Sequence, residues 1–140
     1  MNYRETLFTP RGFLILGGLV LFLLGIVGFL SIFTSQTFFL TAGENLVHVA
    51  LGAIALAAVF VPGVNRTLEP YYRWMVILVG VLALFFGVYG FLLPAGNPPA
   101  NLNTFGLANL EFVDNLIHLI VAAWAFVAAY WAPQRAVSIR

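Results

Sequence analysis

Four long runs of apolar residues, separated by short polar segments, set the pattern of this chain. A membrane-spanning helix needs about 20 consecutive apolar residues, and each run meets that length. We predict helices at about residues 12–33, 43–61, 74–93 and 113–132. The first run is too long for the ~7–15-residue apolar region of a signal peptide, so we expect it to remain as a spanning helix. The pattern predicts an all-α fold.

Composition places these helices in a membrane. The chain is 62% hydrophobic and 8% charged, whereas soluble domains carry roughly 25% charged residues. So few charges cannot cover a water-exposed surface, so the lipid bilayer is the expected partner. The net charge of +1 without a basic tract gives no nucleic-acid partner. We predict a polytopic membrane four-helix bundle that forms one transmembrane domain over residues 1–140.

Arginine positions predict how the helices are oriented. Two arginines precede the first helix, two lie between the second and third, and two follow the fourth. The first and third loops contain none. Cytoplasmic loops carry an excess of Lys and Arg. Both termini and the middle loop are therefore predicted to be cytoplasmic (N-in/C-in), which puts Glu44 and Asp114 at the opposite face.

The second half of the chain repeats the first. Six residues recur 62 positions later, and they are the pairs Arg11/Arg73, Gly18/Gly80, Gly25/Gly87, Gly28/Gly90, Phe29/Phe91 and Leu30/Leu92. Each half holds two helices, so equivalent helices cross the membrane in the same direction. We predict two tandem two-helix repeats, at about residues 11–62 and 73–133. Such parallel repeats are related by a pseudo-twofold axis along the membrane normal.

Glycines lie along one side of the first and third helices. They are Gly18, Gly25 and Gly28, then Gly80, Gly87 and Gly90. Small residues let helix backbones approach closely in lipid. Two interpretations stay open: helix packing within one bundle, or a docking face for another subunit.

A short polar motif also occurs twice, 70 positions apart. Glu44-Asn45-Leu46-Val47-His48 returns as Asp114-Asn115-Leu116-Ile117-His118. Each acid starts its helix, where the free N–H groups and the helix dipole favour a carboxylate. Thr41 and Glu44 have the spacing of a capping box. Each His lies one turn deeper, about 6 Å along the helix, and the Asn residues are predicted to give polar support.

Four interpretations of this motif remain open. The acids cap their helices, and no cofactor is bound, which is the default. His48 and His118 ligate a haem or a chlorin, or all four of Glu44, His48, Asp114 and His118 hold a divalent metal, since imidazole and carboxylate suit zinc, iron or manganese. The pairs relay or sense protons, because His titrates near neutral pH. Lastly, they contact a lipid or quinone headgroup.

Aromatic residues and a sequon have simpler interpretations. The aromatic residues near the predicted cytoplasmic ends, where an aromatic belt is expected, are Tyr71, Tyr72, Trp74, Tyr130 and Trp131. Trp124 lies in mid-helix and is expected to pack against lipid or a neighbouring helix. The glycosylation sequon at residues 65–67 is predicted to be cytoplasmic, so we discount it.

These residues give the chain a family resemblance. It resembles a family of small four-helix bacterial membrane proteins of unknown function. The shared features are an Arg-preceded, glycine-bearing first helix and a second helix with Asn45, His48 and Gly52, repeated as Asn115 and His118. Ala122 stands where the second copy would have its glycine. The resemblance implies four helices in the bacterial cytoplasmic (inner) membrane, and it implies no activity.

Function is predicted mainly from what the sequence lacks. There is no cysteine, no nucleophile–base pattern, no phosphate loop and no soluble domain. We expect a non-enzymatic accessory or structural subunit of a larger membrane complex of electron-transfer or photosynthetic type. The alternatives are a haem-, chlorin- or metal-binding membrane protein, and a small proton-coupled transporter or pH sensor.

Overall fold

The fold contains four helices that are long and apolar enough to cross a membrane. A computed structural model describes residues 7–30, 34–35, 38–93, 103–104, 108–109 and 111–130. The long helices are α1 (Pro10–Phe29), α2 (Ala42–Phe60), α4 (Tyr72–Leu92) and α5 (Phe112–Tyr130). The predicted all-α membrane fold with four helices is confirmed. Among the residues used for the orientation, Arg4, Arg135 and Arg140 lie outside the described residues.

The connection between α2 and α4 is helical and not the loop predicted from the sequence. It consists of a short helix α3 (Pro62–Leu68) and a 3-10 turn (Glu69–Tyr71). Proline is favoured in the first turn of a helix, where its missing N–H has no partner to lose. Pro62 therefore ends α2 and starts α3 at the same point.

A small antiparallel hairpin precedes each helix that carries the polar motif. Strands β1 (Thr34–Ser35) and β2 (Phe38–Phe39) lie before α2, and strands β3 (Asn103–Thr104) and β4 (Ala108–Asn109) lie before α5. α1 ends at Phe29 and not at the predicted residue 33, and the first hairpin begins at Thr34.

Consecutive long helices make the most extensive contacts. α1 packs along α2, and α4 packs along α5. Contacts between these two helix pairs are fewer and are made mainly by α1, against both α4 and α5. The structure is therefore two closely packed helix pairs with a smaller interface between them.

The buried apolar core lies toward one end of the bundle, the end that carries Arg11 and Arg73. All four long helices contribute to it, with Phe13, Leu14, Ala58, Val59, Tyr72, Val76, Ala125, Ala128 and Ala129. The outward surface is apolar as well: Leu30 is 65% exposed and Leu92 76%. Large apolar side chains exposed along spanning helices are what a lipid-facing surface requires.

Trp124 joins the two helix pairs within this core. Its ring centroid lies 4.6 Å from that of Phe13 on α1. Its indole N–H donates a hydrogen bond of 2.9 Å to the backbone carbonyl of Leu7. The residue therefore packs against a neighbouring helix, which is one of the two environments expected from the sequence.

Tyr72 is buried, and its assignment to the aromatic belt is wrong. Only 4% of the residue is exposed. Its hydroxyl donates to the Ala58 carbonyl at 2.6 Å and accepts from Asn65 Nδ2 at 2.9 Å, and Asn65 Nδ2 also donates to the Val59 carbonyl at 2.7 Å. Carbonyls in the last turn of a helix have no partner within that helix. Asn65 and Tyr72 satisfy two of them and so fix the end of α2 to the start of α4.

Replacing Tyr72 with Phe should destabilise the bundle. The ring is kept, but the buried Ala58 carbonyl loses its side-chain donor, which costs about 1–3 kcal/mol. We expect a lower unfolding midpoint in a denaturant titration of the detergent-solubilised protein. The matched control is Tyr71→Phe, because neighbouring Tyr71 is 57% exposed. Equal midpoints for the two variants would contradict the role assigned to the Tyr72 hydroxyl.

Candidate functional site

The first copy of the polar motif begins with a complete capping box. The Glu44 N–H donates to Thr41 Oγ1 at 3.1 Å, and the Thr41 N–H donates to Glu44 Oε2 at 2.6 Å. These bonds satisfy two donors that a helix start leaves unpaired. Glu44 is only 7% exposed, so the cap holds this carboxylate at the buried start of α2. The capping box predicted from the sequence is present.

The second copy uses its acid differently. His118 Nδ1 lies 2.9 Å from the Asp114 backbone oxygen and 3.1 Å from Asp114 Oδ2. A carbonyl oxygen only accepts, so Nδ1 must carry the proton that it donates. The single proton on His118 Nδ1 points at the backbone carbonyl of Asp114 and not at its carboxylate. Among the described residues, Asp114 Oδ2 is left buried without a hydrogen-bond donor.

His48 lies in the electrostatic range of the other copy. Both Asp114 and His118 interact electrostatically with it, and Glu44 interacts in the same way with His118. His48 Nδ1 is buried and has no hydrogen-bond partner within the described part of the chain. The two acid–His motifs therefore lie at the same end of the bundle, on α2 and α5, close enough for their charges to interact.

Ligation of a metal by all four residues would require the side chains to move. Within the described residues, no three His, Asp or Glu side chains are grouped closely enough to hold one metal ion. If His118 ligated a haem or a chlorin, it would have to do so through Nε2, because Nδ1 is hydrogen-bonded to the Asp114 carbonyl. The His118 side chain is 24% exposed, and the Phe86 ring of α4 lies beside it with centroids 5.9 Å apart.

The two asparagines lie against glycines of the preceding helix. Asn45 and Asn115 are each 2% exposed. A Cβ atom at Gly28 would overlap the amide oxygen of Asn45, and one at Gly90 would overlap that of Asn115. Neither amide oxygen has a conventional hydrogen-bond donor among the described residues.

The other glycines of the two stripes also lie at contacts within the pairs. A Cβ at Gly25 would come within 2.6 Å of the Asn45 backbone oxygen, and one at Gly87 within 3.0 Å of that of Asn115. One turn or two further along, Gly18 faces Ala55 and Gly80 faces Ala125. Of the two interpretations left open for the glycines, these contacts match packing within the bundle.

Gly52 makes the first helix pair different from the second. A Cβ at Gly52 would lie 2.5 Å from the backbone nitrogen of Phe22 and 2.7 Å from the Gly18 oxygen. Only glycine permits this crossing of α1 and α2. Its counterpart in the second copy is Ala122, which is 2% exposed and carries the methyl group that Gly52 lacks.

No protein-family model, no curated protein and no solved structure matches this chain. The function proposed below therefore depends on the geometry of the chain itself.

Adding one methyl group at either glycine that faces an asparagine should destabilise the protein. In Gly28→Ala or Gly90→Ala, the new Cβ displaces a buried amide, and overpacking of this kind costs about 1–3 kcal/mol. Unfolding midpoints in detergent measure the effect. Gly17→Ala is the control on α1, because a Cβ there makes its closest contact at an ordinary 3.7 Å. If Gly17→Ala loses as much stability as Gly28→Ala, the asparagine contact does not explain the loss.

Proposed function

We propose that this protein is a non-enzymatic accessory subunit that packs laterally against another protein of a larger complex in the bacterial cytoplasmic membrane. Spanning helices make up most of the described residues, whose buried polar side chains are Glu44, Asn45, Asp114 and Asn115. The rest of the described membrane-spanning surface is largely apolar. Such a surface suits contacts with lipid and with other spanning helices.

The observation that carries this proposal is the outward face of α2. Ala50 and Ala53 are exposed and Ala57 is half-exposed, so three small residues follow one side of the helix. The matching positions of α5 carry Ile120, Ala123 and Val127, of which Ile120 is 60% exposed. Contact with lipid does not require small residues. Close packing of another helix requires them, because small side chains let the two backbones come together.

We also propose that the two helix pairs are tandem parallel repeats about a pseudo-twofold axis along the membrane normal. Contacts at matched positions support this arrangement: Gly28 meets Asn45 as Gly90 meets Asn115. The buried positions of α2 and α5 agree as well, with residues 44, 45, 52, 58 and 59 matching residues 114, 115, 122, 128 and 129. Each copy is preceded by its own hairpin.

The subunit proposal is tested in native membranes by enlarging the α2 face. Protein purified in mild detergent should migrate on a native gel with at least one other integral membrane protein, in a fixed ratio. Replacing both Ala50 and Ala53 with Leu should release it. Ala123→Leu, at the α5 position that matches Ala53, should leave the assembly intact.

Three outcomes would contradict the subunit proposal. The wild-type protein could migrate alone, or Ala123→Leu could release the partner as fully as the α2 double variant does. A differently tagged second copy could account for all the additional mass, which would make the protein a homo-oligomer and not a subunit of a larger complex.

The proposed orientation, with both termini cytoplasmic, has a direct test because the chain lacks cysteine. Single cysteines at Ser35 and Asn103 should react with a membrane-impermeant maleimide added to intact bacterial spheroplasts. A cysteine at Thr67, which lies in α3 between the pairs, should react only after the membrane is opened. The reverse labelling pattern would invert the topology, and labelling of all three sites in intact cells would rule out four spans.

A further inference from the structure

The two copies of the polar motif are alike in sequence and different in bonding. The Glu44 carboxylate accepts from the Thr41 N–H and is used to cap α2. In the second copy Glu111 stands where the first has Thr41, so the capping hydroxyl is missing. Asp114 is 6% exposed, and its Oδ2 is buried without a hydrogen-bond donor in the described residues. An acceptor of this kind is costly to leave unpaired, and a nearby positive charge would stabilise it.

The surroundings of Nδ1 differ between the two histidines and favour different tautomers. His118 Nδ1 donates to the Asp114 carbonyl at 2.9 Å, so its neutral ring carries the proton on Nδ1 and a lone pair on Nε2. His48 Nδ1 is buried and finds no acceptor within the described chain. A buried N–H without an acceptor is rare in proteins. The neutral ring of His48 therefore carries its proton on Nε2.

We propose that Asp114, His118 and His48 form a proton-binding site of the bundle, in which His118 and not His48 takes up the proton. The proton comes from water at the membrane face where α5 starts, and it adds to the Nε2 lone pair of His118. The N–H bond forms as an O–H bond of hydronium breaks and leaves water, while Nδ1 keeps its own proton and its hydrogen bond to the carbonyl. The product is an imidazolium ring whose Nδ1 lies 3.1 Å from Asp114 Oδ2.

The groups around His118 favour one proton at this place. Its own helix supplies Asp114, whose Oδ2 lies 3.1 Å from Nδ1 and stabilises the cation, and α2 supplies Glu44 as a second acid. From α4, Phe86 lies beside the ring and Tyr89 follows three residues later. α1 has Arg11 as its titratable residue, at the opposite end of the bundle.

His48 is the poorer acceptor for two reasons. Its Nδ1 has no hydrogen-bond partner within the described residues, whereas His118 Nδ1 lies 3.1 Å from Asp114 Oδ2. His48 also interacts electrostatically with His118, so a cation at His118 opposes a second cation at His48. The site therefore binds one proton first at His118, and the duplicated motif is not duplicated in its chemistry. This inference does not depend on the accessory role proposed above.

The test is ¹⁵N NMR of the full chain with labelled histidine side chains, reconstituted in lipid nanodiscs, since ¹⁵N shifts distinguish protonated from bare ring nitrogens. At alkaline pH, one imidazole should carry its proton on Nδ1, and His118→Ala should remove its signals. The other should carry it on Nε2, and His48→Ala should remove its signals. As the pH falls, the His118 ring should become doubly protonated before the His48 ring.

Two carboxamide variants separate the acids. Asp114→Asn keeps the backbone carbonyl and therefore the Nδ1–H tautomer of His118. In this variant, however, the His118 ring should no longer become doubly protonated before the His48 ring. Glu44→Gln should leave His118 first. The proposal is overturned if both rings carry their proton on Nε2 at alkaline pH, if His48 is protonated first, or if Glu44→Gln disturbs the order as much as Asp114→Asn. The wild-type spectrum alone overturns the proposal if both rings carry their proton on Nε2, even when a variant fails to fold.

Discussion

Close contact between helix backbones is the constraint on which this structure depends. In a bilayer, lipid tails are as apolar as the side chains, so the hydrophobic effect does not hold helices together. The glycines of α1 and α4 instead allow van der Waals contact between helices at short range. Gly25 contacts the backbone of Asn45 in the first pair, and Gly87 contacts that of Asn115 in the second. The acid and the His of each motif lie within one turn of that asparagine. Their position therefore depends on a residue that has no side chain.

The sequence predicts well the features that depend on local chemistry. Run length determines the four spanning helices, and the spacing from Thr41 to Glu44 determines the capping box. The burial of Tyr72 is a feature that local chemistry does not predict. Tyr71 and Tyr72 are neighbours of identical chemistry, yet Tyr71 faces outward and Tyr72 is buried against α2. Successive helix residues point about 100° apart, and only the arrangement of the neighbouring helices decides which of them is covered.

The candidate site also has features that the sequence predicts and features that it does not. Its members follow from the repeated motif, but the different roles of Glu44 and Asp114 do not. A signal was present three residues upstream, where Thr41 is matched by Glu111. Interpreting it requires the geometry, because an acid that starts a helix has several ways to be satisfied. His118 supplies one of these ways, through a ring orientation that no pattern of residues encodes.

The buried apolar core lies at one end of the bundle, so the two helix pairs are joined mainly at that end. The apolar cluster and the Tyr72–Asn65 bonds join the helix pairs at the Arg11 end, while His48 and His118 lie near the other end of helices α2 and α5. A 19-residue helix is about 28 Å long, so tilting one pair by a single degree about the joined end moves the far end by about 0.5 Å. Coulomb energy varies inversely with the separation of the charges, so a displacement of this size would change the electric field at the histidines.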